Sequence, residues 1–203
     1  MVGRVRKARM YQPWRVIRQM PDLRAAKLWY RVLRHDRRND AMLSAVAGEL
    51  EQAGIALIDS TRYIADQLAD AGVMTATRPS AAQAADIEFA MRIAQRMGDL
   101  DVGQSVAVRD REIIAVEAIE GTDAMIERAG GLCRAGKWTL LKLAKPNQDM
   151  RFDVPTVGLQ TIENLKAHGG TCLAVEAGKV ILLDKSQLIE AADKAGVAVV
   201  GVE

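Results

Sequence analysis

Aromatic residues are scarce: tryptophan, tyrosine and phenylalanine together supply 4% of the 203 residues. Any core must therefore be built from Ala, Val, Ile, Leu and the 9 Met. The chain has two cysteines, Cys133 and Cys172, and two histidines, His35 and His168. So few, so widely spaced, argue against a disulfide scaffold and against a zinc site, and make a reducing cytoplasm the expected compartment. No apolar run approaches the roughly 18–20 residues that cross a bilayer. The basic N-terminus lacks the apolar stretch of a secretory signal. A Walker loop and the G-x-G-x-x-G, G-x-S-x-G and C-x-x-C patterns are all absent, so none of the chemistries they mark is indicated.

Hydrophobic residues at 49% and charged residues at 27% are the balance of a soluble globular protein. The formal net charge of +2 conceals an asymmetry. Residues 1–38 hold 12 Lys or Arg against Asp22 and Asp36, a local balance of +10, and the remainder carries −8. The basic end could meet phosphate, nucleic acid or an anionic membrane. Nucleic acid is the weakest fit, because Tyr11, Trp14, Trp29 and Tyr30 are the basic segment's only aromatic stacking partners.

Periodicity divides the chain into residues 1–80 and 81–203. Residues 23–34 have loosely helical spacing. A helix opens at Asp40 and closes at Gly54. Residues 55–58 read as a buried strand, Asp59-Ser60-Thr61 as a cap, and residues 63–71 as a second helix. One such strand cannot build a doubly wound sheet. From residue 81 the pattern is fuller. A long helix runs to Gly98, and strands at 104–108 and 113–116 flank a hairpin turn. A helix at 123–129, a strand at 138–143, a helix at 161–167, strands at 173–175 and 180–183, a helix at 186–195 and a strand at 197–202 follow. The expected fold class is mixed α/β, with a complete second domain and a partial first one.

Three polar segments interrupt the second part. In the first, Glu117, Glu120, Gly121, Thr122 and Asp123 stand between a strand and a helix. This suits an ordinary turn. It also suits an anion or metal-bridged phosphate at a helix N-terminus. The second places Lys142, Lys145, Asp149, Arg151 and Asp153 within 12 residues, with Gln148 among them and Thr156 just beyond. A solvated loop accommodates these charges; so does phosphate chemistry, where cations neutralise oxygens and a carboxylate holds a metal or orients water. The third, Glu176-Ala177-Gly178, is a tight turn that can also bring a carboxylate to a ligand.

The order and spacing of several stretches resemble the I-type UDP-2,3-diacylglucosamine pyrophosphatases of lipid A biosynthesis. These are Leu100-Asp101-Val102-Gly103-Gln104, residues 115–125 around Glu117-Ala118-Ile119-Glu120-Gly121-Thr122-Asp123, Lys145-Pro146 with Gln148-Asp149 and Arg151, Asp153-Val154-Pro155-Thr156-Val157-Gly158, and Val175-Glu176-Ala177-Gly178. Residues 1–80 match more loosely. The resemblance implies a Rossmann-like N-terminal domain followed by a family-specific α/β domain, with the lipid held between them. Against that plan the first strand, its glycine-rich loop and the next βα units have no counterpart, about 70–80 residues by the usual size of such units. A truncated start, with doubtful activity, is therefore expected.

The implied reaction hydrolyses the pyrophosphate of UDP-2,3-diacylglucosamine to UMP and 2,3-diacylglucosamine 1-phosphate (lipid X), with Mg²⁺ or another divalent metal. By resemblance Asp153 is the acidic residue that serves catalysis, through water orientation or metal binding, and Glu120, Asp123 and Asp153 are the metal partners. Glu117, Gly121, Thr122, Lys142, Lys145, Gln148, Arg151, Thr156, Glu176 and Gly178 line the substrate. The implied placement is cytoplasmic, in reach of the inner-leaflet surface, and a homodimer is compatible with it. The alternative is a non-catalytic paralogue that binds lipid or nucleotide, or serves as a scaffold.

Overall fold

The computed structural model describes Tyr30 and residues 39–146, 148–151 and 153–203. Most of the basic segment, and with it the helical spacing expected over residues 23–34, lies outside the described residues apart from Tyr30. The chain forms two compact units. The first comprises residues 1–62 with Gln148–Asp153, and the second comprises residues 63–147 and 154–203. Residues 63–80, grouped with the first part on periodicity, thus fold with the second.

In the first unit, helix α1 spans Asn39–Gln52. The N–H of Ile55 reaches back to the Leu50 carbonyl at 2.9 Å and closes its end, with Gly54 in the left-handed region at φ 80°. The strand expected at residues 55–58 does not form. Ile55 and Ile58 are exposed, at 53% and 54%, and no described strand pairs with them. A buried-strand pattern is only potential until a neighbouring strand accepts its backbone groups. The helix expected over residues 63–71 is also absent. Asp59 accepts from the N–H and hydroxyl of Thr61 at 2.9 and 2.6 Å, but only the short 3-10 turns Ser60–Tyr63 and Ala65–Gln67 follow. Leu68 then turns extended and bridges to Ile181, and the N–H of Ala69 bonds to the Val180 carbonyl. Tertiary pairing has overridden helical spacing.

The second unit is built on a six-stranded sheet. Its strands are β1 (Gly72–Val73), β2 (Ser105–Arg109), β3 (Glu112–Val116), β4 (Trp138–Lys142), β6 (Gly170–Glu176) and β8 (Ala198–Val202). Their order is β1-β8-β6-β4-β2-β3. Strands β4, β6 and β8 run parallel, whereas β1 and β2 pair antiparallel to β8 and β4. A second sheet pairs β5 (Thr156–Val157) with β7 (Ile181–Leu182) in parallel. The two strands expected around the 176–179 turn therefore belong to different sheets.

Alternation along the strands separates two cores. Ala107, Leu140, Leu173 and Val199 face α3 (Thr122–Leu132), α4 (Leu159–Ala167) and α5 (Lys185–Ala195). Val106, Val108, Leu141, Cys172 and Ala174 face α2 (Ala81–Asp99), which supplies Ile87, Ala90 and Ala94. Both faces being covered explains why the central strands are apolar throughout rather than alternating. Helix α2 starts in a full capping box, with Ser80 and Gln83 each bonding the other's backbone N–H. The β2–β3 hairpin turns on Asp110 and Arg111, at φ 52° and 59°. This is the doubly left-handed geometry that matches strand twist.

Candidate functional site

The carboxyl ends of β4 and β6 lie at one end of the sheet, as do the start of antiparallel β2 and the end of β3. Such strand ends are where open α/β sheets present ligand-binding groups. The register puts Lys142 directly opposite Ser105 on one side and Val175 on the other. Glu117 follows β3 immediately, held by its N–H on the Ser105 carbonyl at 2.8 Å.

A polar chain runs through this end. Lys142, 6% exposed, donates from Nζ to the hydroxyl of Thr122 at 3.2 Å and to the Thr156 carbonyl at 3.0 Å. The Thr122 hydroxyl in turn donates to Glu117 Oε2 at 3.2 Å, and Glu117 is also buried. An ammonium and a carboxylate so enclosed must satisfy one another through neighbours, since an unpaired buried charge is costly. Thr122 opens α3, and Gly121 precedes it with φ 87° and ψ 166°, a conformation natural to glycine, which sends the chain from strand end into helix. The Ser105 hydroxyl and the Gln104 side-chain carbonyl are buried without a hydrogen-bond partner among the described residues.

Two further groups sit at the same strand ends. Lys145, also buried, pairs with Asp101 in the loop after α2. Glu176, at the end of β6, accepts from the Ala144 N–H at 2.8 Å and pairs with Lys179 at 2.5 Å. Gly178 donates its N–H to the Ala69 carbonyl at 2.9 Å.

Glu120 and Asp123 face other partners. Glu120 binds Arg128 at 2.5 Å through one oxygen and the Ala118 N–H at 3.1 Å through the other. Burial raises its pKa, but its own backbone N–H, Arg128 and the Ala118 N–H together hold it below the ordinary glutamate value. Asp123 accepts from the Asn164 amide at 3.2 Å. As arranged, each of these two carboxylates is held by a partner of its own. Among the described residues no group of three or more His, Cys, Asp or Glu converges as metal ligands do.

The remaining sequence candidates belong to the first unit, in the Gln148–Asp153 segment. Gln148 donates to Asp153 Oδ2 at 2.9 Å. Arg151 grips both oxygens of Asp149, Nε lying 2.9 and 3.0 Å from Oδ1 and Oδ2 and Nη2 2.7 Å from Oδ2. Its Nη1 reaches Glu51 of α1 at 2.6 Å. Arg151 accordingly pulls the Asp149 carboxyl below its usual range, and the guanidinium is itself raised.

The two lysines and the Glu117–Thr122 step named from sequence thus meet at the strand ends. Sequence reasoning did not give Asp101, Arg128 or Glu51 as their or their neighbours' partners. Asp101 stands 44 positions from Lys145 and Glu51 stands 100 from Arg151, so no local pattern joins them.

Comparison with known proteins places both parts of the chain in one family. Residues 70–200 match the LpxI C-terminal domain family, and residues 1–67 match the LpxI N-terminal domain family. The chain is 33% identical over 192 residues to the UDP-2,3-diacylglucosamine pyrophosphatase LpxI of Caulobacter vibrioides, an overlap of 91% of this chain and 69% of that protein.

Proposed function

The chain belongs to the LpxI pyrophosphatase family, and from that premise we propose that it hydrolyses UDP-2,3-diacylglucosamine to UMP and lipid X. What carries the reading is the buried Lys142–Thr122–Glu117 chain at the strand ends. A pyrophosphate concentrates negative charge, and its cleavage asks for positioning and neutralisation more than covalent help. Lys142 and Lys145 supply cationic charge from sites shielded from water, where electrostatic stabilisation is strongest. Asp153 orients the attacking water and takes its proton, and the new bond forms to the sugar-side phosphorus. The bridging oxygen leaves with UMP, and the other phosphate stays on the sugar as lipid X. Thr122 holds the Lys142 ammonium in place, and Glu117 balances its charge. Glu176 orders the Ala144–Lys145 backbone through the Ala144 N–H.

Mg²⁺ belongs to the proposal on the chemistry of the reaction. Because Glu120 and Asp123 are engaged by Arg128 and Asn164, no step here is routed through a metal. No helix among the described residues is long and apolar enough to cross a membrane. We place the protein in the cytoplasm, meeting its lipid at the inner leaflet, where a basic segment would be attracted to anionic headgroups.

The test is UMP release from UDP-2,3-diacylglucosamine with Mg²⁺, run on the chain and on Asp153→Ala. The variant should lose at least ~10²-fold in kcat, the scale of a positioned proton-transfer group, and still bind lipid X. Absence of turnover with lipid X binding retained favours a non-catalytic binding protein. Absence of both counts against the reading altogether.

A further inference from the structure

We propose that Glu51 of α1 is a positioning residue for Asp153, acting through Arg151; the inference rests on reading Asp153 as the group that orients water. The Gln148–Asp153 segment lies in sequence between Lys145-Pro146 and Val154-Pro155, yet it packs as part of the first unit. Its internal order depends on Asp149. The Asp149 carboxylate accepts the Arg151 N–H at 3.0 Å and the Arg151 guanidinium on both oxygens. The Asp149 carbonyl accepts the Asp153 N–H at 3.0 Å. Asp153 is thus hung from the residue that Arg151 holds, and Gln148 fixes its carboxylate from the other side at 2.9 Å.

The guanidinium fork turns its Nε and Nη2 edge to Asp149 and its Nη1 to Glu51. Only arginine has the planar donors to serve two carboxylates in this way; a lysine would offer a point charge without the fork. The Glu51 contact ties the turn to a 14-residue helix of its own unit. Glu51 is 51% exposed and Arg151 35%, and an exposed pair of this kind adds little to global stability. Its effect is on where the turn sits.

The test combines hydrogen–deuterium exchange with kinetics on the full chain, comparing wild type with Glu51→Ala, Glu51→Asp, Arg151→Lys and Glu51→Ala/Arg151→Lys. In Glu51→Ala the Arg151 and Asp153 amides should exchange faster while the amides of the second unit keep their protection. In the UMP-release assay kcat should fall about tenfold with KM nearly unchanged, below the ~10²-fold loss that a 1 Å misplacement can cause. Glu51→Asp should restore part of both. The double variant should be no worse than Arg151→Lys alone, because the two act through one contact. Unchanged exchange in Glu51→Ala, or kinetic losses that add in the double variant, would overturn the proposal. A wild type that releases no UMP removes the catalytic reading on which the kinetic arm stands. The exchange arm then decides alone, with loosened amides supporting the clamp and equal exchange refuting it.

Discussion

Gly103 is packed against the backbone of Glu117, so closely that a Cβ at Gly103 would stand 2.0 Å from the Glu117 carbonyl oxygen. That contact sets how the loop after α2 lies over the end of β3, and backbone cannot yield as a flexible side chain would. Gly103→Ala should therefore cost about 1–3 kcal/mol, the usual penalty for overpacking, and should displace Glu117 from Thr122. Urea unfolding measures the first effect. A midpoint equal to wild type would mean that the loop relaxes at no cost.

The second unit was legible because its elements carry marks in their own local sequence, although most of its strands pair across long stretches of chain. The capping box at Ser80, the switch in period after Gly98 and the Gly121 turn each leave a local mark. Residues 55–58 show the converse. Ile55-Ala56-Leu57-Ile58 has strand composition, but without a pairing strand among the described residues it stays exposed coil. Residues 63–71 have helical spacing, yet the pairing of Leu68 and Ala69 with residues 180–181 takes the backbone bonds a helix would have used. In the site, Lys142 and Lys145 could be read as cations. That they are buried, and that Asp101 and Thr122 receive them, depends on strand register, which no single segment encodes.

Asp86 supplies a stability prediction apart from the site. It is 2% exposed and accepts the Asp110 N–H at 3.2 Å and the Arg111 N–H at 2.6 Å, both donors in the hairpin turn. Hydrogen bonds to a charged group contribute about 1.5–3 kcal/mol, so Asp86→Ala should lower stability on that scale and Asp86→Asn by less. The turn joins the ends of β2 and β3 remote from Ser105 and Lys142. Turnover of the folded fraction should not change. A loss of kcat without loss of stability would reverse this assignment.

Cys172 gives a pH dependence. Burial pushes its thiol up to about 12, well above the ordinary cysteine value. Above about pH 9 the unfolded chain releases this proton while the folded chain keeps it, so the folded state binds more protons and stability falls as pH rises. The loss begins near the unfolded value and continues until the folded thiol ionises, at about 1.4 kcal/mol per pH unit for this one group. Cys172→Ala should flatten the decline between pH 9 and the onset of alkaline unfolding, whatever it does to stability at neutral pH. Identical slopes for the two proteins would show that the thiol is not the titrating group. At neutral pH the folded thiol should also resist alkylation until denaturant is added.

Lys142 separates electrostatic catalysis from scaffolding. Its ammonium is buried and bonds Thr122 and the Thr156 carbonyl, so its removal alters both charge and local packing. Lys142→Met keeps most of the side-chain volume and deletes the charge. Removing one partner of a buried charged pair leaves the other uncompensated, which costs about 3–5 kcal/mol. Here the buried Glu117 carboxylate keeps the Thr122 hydroxyl as a donor but loses the charge that balances it. The variant should therefore unfold at a lower midpoint, and Lys142→Met/Glu117→Gln should recover part of the loss. The kcat/KM of the folded Lys142→Met protein for UMP release should fall about 10²–10³-fold, the range for deleting one preorganised group that meets developing charge. Thr122→Val should cost less, since it leaves the ammonium present and removes only a hydroxyl that steadies it. Together these variants order the chain: a large loss of turnover at Lys142, a smaller one at Thr122, and stability but not turnover recovered when Glu117 is neutralised beside Lys142→Met. If Lys142→Met retains kcat/KM within about threefold, too small a change for a lost transition-state contact, the buried ammonium serves the fold and the phosphate-neutralising role must move to Lys145.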